Sequence, residues 1–142
     1  VHFVGLVTEE DLRRLYLNAA VYVYPSPEED FGMGIVEAMA AGTPVVAWDN
    51  GGPTVTVMDR KTGFLVEPYD TEAFAERMLS LATSPELGER MGRAGHQRAK
   101  EMFSYSRHTQ ILEKCLIEAF EDYWRESGKE EKAASVPTWI KD

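Results

Sequence analysis

Apolar runs with strand-like and helix-like periods alternate from the first residue. Val1–Val7, bent at Gly5, predicts a short buried strand. Thr8 follows as a helix N-cap, with Glu9, Glu10 and Asp11 in the first turn, where the helix dipole favours negative charge. Leu12, Leu15 and Tyr16 recur at helical spacing and predict the buried face of that helix. Val21–Tyr24 is a second strand, stopped by Pro25-Ser26-Pro27. A loop then leads to a helix over Ile35–Ala41, closed by Gly42. Pro44–Trp48 is a third strand, and Asp49-Asn50-Gly51-Gly52-Pro53 is a turn running into a short turn or helix. Phe64-Leu65-Val66, after Gly63, is the last strand-like run. Strands and helices alternating at this spacing imply βα units: an α/β fold with a mainly parallel sheet and helices on both faces.

The remainder reads as helix. Asp70 or Thr71 caps a segment through Ala82, and Ser84-Pro85 opens another that runs to Met102. Ser104 or Ser106 opens a third. Its stripe of Ile111, Leu112, Cys115, Leu116, Ala119, Phe120, Tyr123 and Trp124 keeps helical periodicity, which predicts a packed face with Cys115 inside it. From Ser127 the sequence turns polar, so residues 1–126 are expected to fold and 127–142 to form a frayed tail.

Composition narrows the function classes. The chain has 142 residues, 44% of them hydrophobic, enough for one globular core. No apolar run approaches the ~18–20 residues of a membrane-spanning helix, so membrane association is not indicated. Lys and Arg number 15 against 24 Asp and Glu, and the net charge of −9 excludes a broad nucleic-acid-binding surface. A local anion site built from backbone N–H groups stays open. Cys115 has no partner for an internal disulfide, and no Cys/His cluster has metal-ligand spacing, so no metal is expected. A lone thiol fits a reducing, cytoplasmic setting. The start at Val1, inside an apolar run and without Met, reads as a piece of something longer.

The chemistry concentrates between Pro25 and Gly52. The stretch Glu29-Asp30-Phe31-Gly32-Met33-Gly34-Ile35-Val36-Glu37 places two glycines between the end of a strand and the start of a helix. In an open α/β sheet, ligands bind at that edge. Glycines let the backbone approach a ligand, and the unpaired N–H groups of the helix start favour a phosphate. Glu29 and Glu37 flank the glycines, with seven residues between them. A carboxylate accepts hydrogen bonds from a vicinal diol, so each is a candidate for a pair of sugar hydroxyls. Singly, Glu29 also reads as a solvated charge in Glu28-Glu29-Asp30, and Glu37 as a carboxylate complementing a helix dipole. Together with the glycines and the small-residue helix, the binding reading prevails.

This stretch, from Pro25-Ser26 through Val46, resembles the E-x7-E segment of retaining GT-B glycosyltransferases, the group that includes sucrose and glycogen synthases and many mannosyltransferases. Val1–Leu6, the helix through Leu15-Tyr16 and Ala19-Ala20, Gly51-Gly52-Pro53 and Thr62–Val66 match the same pattern in order, so the resemblance covers roughly residues 1–125. It implies the carboxyl-terminal, Rossmann-like half of a GT-B fold, with long C-terminal helices, which binds a nucleotide-diphosphate sugar of the GDP-mannose or UDP-glucose type. Carried onto this chain, Glu37 would hold the ribose hydroxyls. Glu29 would be the catalytic carboxylate, holding hydroxyls of the donor sugar. The backbone N–H groups of Phe31, Gly32, Met33 and Gly34 would contact the sugar and the diphosphate. The resemblance further implies hexose transfer with retention, by front-face attack assisted by the leaving phosphate, and without a divalent metal or other cofactor.

Two departures stand out. Many members carry Glu two positions after Gly51-Gly52-Pro53, where this chain has Val55. The Arg/Lys pair that binds the diphosphate lies upstream of Val1 in the family, as does the amino-terminal acceptor domain. The isolated chain is therefore expected to be inactive, and a nucleotide-sugar-binding or interaction module is the alternative reading. A glycoside hydrolase using Glu29 and Glu37 as an acid/base pair is a weaker one, because a helix N-terminus lowers a nearby carboxyl pKa. His2, His96 and His108 are scattered and read as structural or solvated. Arg60 and Lys61 read as a solvated turn, Trp48 as a core aromatic that alternatively borders the nucleotide, and Trp124 as packing.

Overall fold

The computed structural model describes residues 1–126, so the tail expected over 127–142 lies outside the described residues. Two compact units are present, Val1–Glu101 and a second that begins at Met102. In the first unit the order is α1 (Glu9–Asn18), β1 (Tyr22–Tyr24), α2 (Met33–Ala40), β2 (Val45–Trp48), α3 (Gly52–Thr56), β3 (Gly63–Val66), α4 (Thr71–Thr83) and α5 (Pro85–Met102). The strands form a parallel sheet in the order β1-β2-β3, with Tyr22 opposite Val45 and Val45 opposite Gly63.

β2 is buried along its whole length, because both faces of the sheet are covered. Its side chains alternate accordingly. Val45 and Ala47 join Ile35, Ala38 and Met39 of α2, while Val46 and Trp48 join Phe64, Val66, Phe74, Leu81 and Met91. Trp48 is a core aromatic, its ring centroid 4.5 Å from that of Phe74. α4 begins where expected, the Asp70 carboxylate accepting from the Ala73 amide. α5 passes the amino ends of β2 and β3. A side chain at Gly92 would overlap the Gly42 carbonyl, and one at Gly95 would lie 3.7 Å from the Thr62 carbonyl oxygen. His96 Nδ1 sits 2.7 Å from the Ala40 carbonyl, a structural contact.

Three expectations are corrected. Val1–Val7 forms no strand, and Val1, Phe3, Val4 and Leu6 are exposed. A strand exists only where neighbours take up its N–H and C=O groups, and β1 pairs with β2 alone. α1 buries none of its residues, so Leu12 and Leu15 lie open although Thr8 caps the helix as read. In the second unit, Ser104 opens α6 (Tyr105–Glu126), accepting from the Arg107 amide. Cys115 and most of the α6 stripe are exposed rather than packed. A periodic stripe becomes a core face only when another surface covers it.

Candidate functional site

The site forms at the carboxyl edge of the sheet, where β1 and β2 end in loops. After Tyr24 the chain turns through Pro25–Asp30 to Gly32, the N-cap of α2, at φ 81°. That left-handed backbone suits glycine, and it lets Gly32 O accept from the Ile35 amide at 3.0 Å. The loop after β2 supports it from behind. Gly52 N donates to Glu29 O at 2.6 Å, and a Cβ at Gly52 would overlap the Phe31 backbone. Asn50 Nδ2 donates to Pro27 O at 2.5 Å, and Arg98 reaches across from α5 to the Thr56 and Val55 carbonyls at the end of α3. The Gly-Gly-Pro turn thus serves as a buttress, and the absence of Glu at Val55 leaves it intact.

Glu29 is drawn into this loop rather than standing free in the crevice. Its Oε1 accepts from the amides of Phe31 at 3.2 Å and Gly32 at 3.0 Å, and its Oε2 accepts from the Tyr24 hydroxyl. These bonds favour the ionised form. The Tyr24 hydroxyl foremost, then the Gly32 and Phe31 amides, hold Glu29 below the usual carboxylate range. Tyr24 moves the opposite way, its hydroxyl pushed up to about 12 chiefly by donating to Glu29. Of the four amides read as ligand donors, those of Phe31 and Gly32 are thus bonded to Glu29. Those of Met33 and Gly34 are the first two of α2, which have no partner within a helix.

Glu37 is the fifth residue of α2, just past its first turn, because the helix begins at Met33. It is exposed, and its Oε2 accepts from the Tyr16 hydroxyl of α1 at 3.1 Å. Both residues line an open groove of about 510 Å³ between α1 and α2, with Leu12, Arg13, Ala40 and Ala41. Burial chiefly raises the Tyr16 hydroxyl pKa, and the Glu37 bond adds to it. Tyr22 stands between the two carboxylates, and a Cβ at Gly34 would lie 2.5 Å from its hydroxyl oxygen. Gly34 is therefore required by close approach rather than by backbone angle.

By sequence, Tyr16 reads only as part of a helix face, and Tyr22 and Tyr24 only as strand residues. Their signal was present: Tyr22 and Tyr24 are two apart in a strand, so they share the face turned to α2, and each carries a polar tip near the ligand edge. Arg60 and Lys61 lie in an exposed turn, Arg60 at φ 60°. Among the described residues, no group of three or more His, Cys, Asp or Glu side chains clusters as a metal site, and no helix is long and apolar enough to cross a membrane.

A parallel α/β unit with a glycine-shaped loop, an exposed helix start and two flanking carboxylates defines a ligand-binding half of a doubly wound fold. The chain belongs to the group 1 glycosyl transferases, whose sequence pattern matches residues 1–98. It is 44% identical over 100 residues to a D-inositol 3-phosphate glycosyltransferase of Streptomyces avermitilis, covering 70% of this chain and 22% of that protein. It is 38% identical over 112 residues to the alpha-1,3/1,6-mannosyltransferase ALG2 of Dictyostelium discoideum, covering 79% and 26%. Among solved structures, it matches sucrose-phosphate synthase from Thermosynechococcus elongatus with a TM-score of 0.75 and 36% identity, over 83% of this chain and 30% of that one. Anabaena HepE, solved with UDP and glucose, matches with a TM-score of 0.70 and 26% identity, over 80% and 31%. The fold is that of a GT-B glycosyltransferase domain. The chain spans 22% to 28% of the length of the first curated relatives.

Proposed function

We propose that this chain is the donor-binding part of a retaining hexosyltransferase that uses a nucleotide-diphosphate sugar. One observation carries the reading: Glu29 and Glu37 bracket the free amides at the start of α2, on the carboxyl edge of the sheet. Glu37 accepts the ribose hydroxyls at the mouth of the α1–α2 groove, and the remaining acceptor direction of Glu29 takes a hydroxyl of the sugar. The Met33 and Gly34 amides face the diphosphate. When the anomeric C–O bond breaks, the electron pair leaves with the diphosphate, and these preorganised donors stabilise the growing charge. An acceptor hydroxyl, held by an upstream domain, completes the transfer. In this reading the helix start takes the part that a divalent metal plays elsewhere. The HepE structure with UDP and glucose supports a donor of the UDP-glucose type, and the mannosyltransferase relative supports GDP-mannose.

Calorimetric titration with UDP-glucose, GDP-mannose and ADP-glucose tests the site. One donor is expected to bind, unaffected by EDTA, and Glu37→Ala is expected to weaken it at least tenfold. Unchanged affinity in that variant would refute the ribose assignment. Because the chain spans only a fraction of its relatives, a second reading is that it binds donor without turnover by itself. Sugar transfer by this chain alone would exclude that reading, and an inactive fusion to an upstream domain would count against the transferase. The lowered pKa of Glu29 counts against a glycosidase acid, which needs a raised one.

A further inference from the structure

We infer that Tyr24 and Tyr16 are positioning residues with separate duties, Tyr24 orienting Glu29 for the sugar end of the donor and Tyr16 orienting Glu37 for the nucleoside end. The inference rests on the donor-site reading above and adds two residues to it.

Each tyrosine hydroxyl donates to one carboxylate, and to a single oxygen of it, Oε2. Glu29 is thereby held from both sides, by Tyr24 on Oε2 and by two loop amides on Oε1. An ionised carboxylate offers about four acceptor directions, so three bonds fix its plane and leave acceptor capacity for a ligand. Glu37 has no such cage. Its Oε1 lacks a hydrogen-bond partner among the described residues, and the Tyr16 hydroxyl alone restrains it.

The tyrosines are themselves well anchored. Tyr16, Tyr22 and Tyr24 pack against the α2 side of the core. Their rings follow one another, with centroids 5.5 Å apart from Tyr16 to Tyr22 and 6.1 Å from Tyr22 to Tyr24. The Thr43 hydroxyl donates to the Tyr16 carbonyl at 2.5 Å, tying the end of α1 to the start of β2. The packed row of rings therefore presents the Tyr24 hydroxyl to Glu29 and the Tyr16 hydroxyl to Glu37. Ring packing accounts for the ring positions. It does not account for two hydroxyls each meeting a different member of the same Glu pair.

Hydroxyl-only deletions separate these duties, because Tyr→Phe keeps the ring. The 142-residue chain and its variants are titrated with a nucleoside diphosphate (UDP or GDP) and with the corresponding nucleotide sugar. Tyr24→Phe is expected to lower nucleotide-sugar affinity about 5-fold while nucleoside-diphosphate affinity stays within about 2-fold. Tyr16→Phe is expected to lower both affinities by the same factor, about 5-fold, leaving their ratio unchanged. Carbon-13 titration of the Glu29 carboxyl adds a readout that needs no ligand: its pKa rises in Tyr24→Phe and stays put in Tyr16→Phe. Equal losses for both ligands in Tyr24→Phe, or an unmoved Glu29 carboxyl, would overturn its duty. A changed ratio in Tyr16→Phe would overturn the other. Glu29→Ala and Glu37→Ala serve as references. If they leave both affinities unchanged, the donor-site reading itself fails, whereas their effects without the tyrosine effects reject only this inference.

Discussion

Two βα units of similar sequence character meet different fates in this molecule. Residues 1–18 and 21–40 each read as an apolar strand, a bend or loop, and an amphipathic helix. In the second, β1 pairs with β2 and α2 buries Ile35, Ala38 and Met39. In the first, no strand forms and no residue of α1 is fully buried, Tyr16 alone packing against the core, although the Thr8 cap is in place. The difference teaches that capping and periodicity are local properties, while strand formation and burial need a neighbour. It also shows where the site's rigidity originates. The loop bearing Glu29 hangs between a paired strand and a packed helix, with the Gly51-Gly52 turn pressed against its back.

Paired substitutions sharpen that contrast most. Ile35 is fully buried, so Ile35→Ala should cost about 3 kcal/mol through lost transfer energy and the cavity left behind. Leu6, fully exposed in the first unit, should cost less than about 0.5 kcal/mol when replaced by Ala. Urea unfolding midpoints check both, and a comparable loss at Leu6 would show that residues 1–18 are packed after all.

A smaller effect is expected from the glycines. Gly52→Ala forces a Cβ into the Phe31 backbone and should destabilise by about 2 kcal/mol, displacing the Glu29 loop with it. Gly5→Ala meets no atom within 4 Å, and its positive φ of 67° sits in an unpaired segment, so at most about 1 kcal/mol is at stake. Thermal unfolding of the two variants should rank them in that order.

The smallest effect is the pH dependence of the second βα unit, residues 21–40. The folded pKa of Glu29 lies below its ordinary 4.5, so its contribution is full above that value and is lost as pH falls through the lowered one. Tyr24, raised from 10.0 to about 12, contributes fully below 10 and loses its share as pH rises through about 12. Glu29→Ala should flatten both limbs of the stability profile, since it removes both the titrating carboxylate and the acceptor that raises Tyr24. Removing residues 1–7 should change neither limb, and a shifted acid limb in that truncation would place that segment in the network.

Much of the candidate site is legible in the sequence. Gly32, Gly34, Glu29 and Glu37 stand at the strand-to-helix junction that the periodicity located, because helix starts and glycine turns are written in short stretches of chain. Helix ends at Ser84-Pro85 and Asp70 were legible for the same reason. What Glu29 bonds to was not. Its partners include Tyr24, whose aromatic character marked it only as strand material, and Glu37 finds Tyr16 across 21 positions of chain. The α6 stripe misled in the opposite direction, since its periodicity promised a packed face and Cys115 stands exposed.

The sequence by itself therefore determined the helix starts, the family, and the glycines and carboxylates that stand at the β1–α2 junction. These depend on contacts within a turn or two, or on a motif contiguous in the chain. Only the tertiary structure decided which apolar runs became strands, which helix faces were covered, and which hydroxyl restrains which carboxylate. Sheet pairing, burial and side-chain hydrogen bonds join residues distant in sequence, and their partners exist only once the chain has folded.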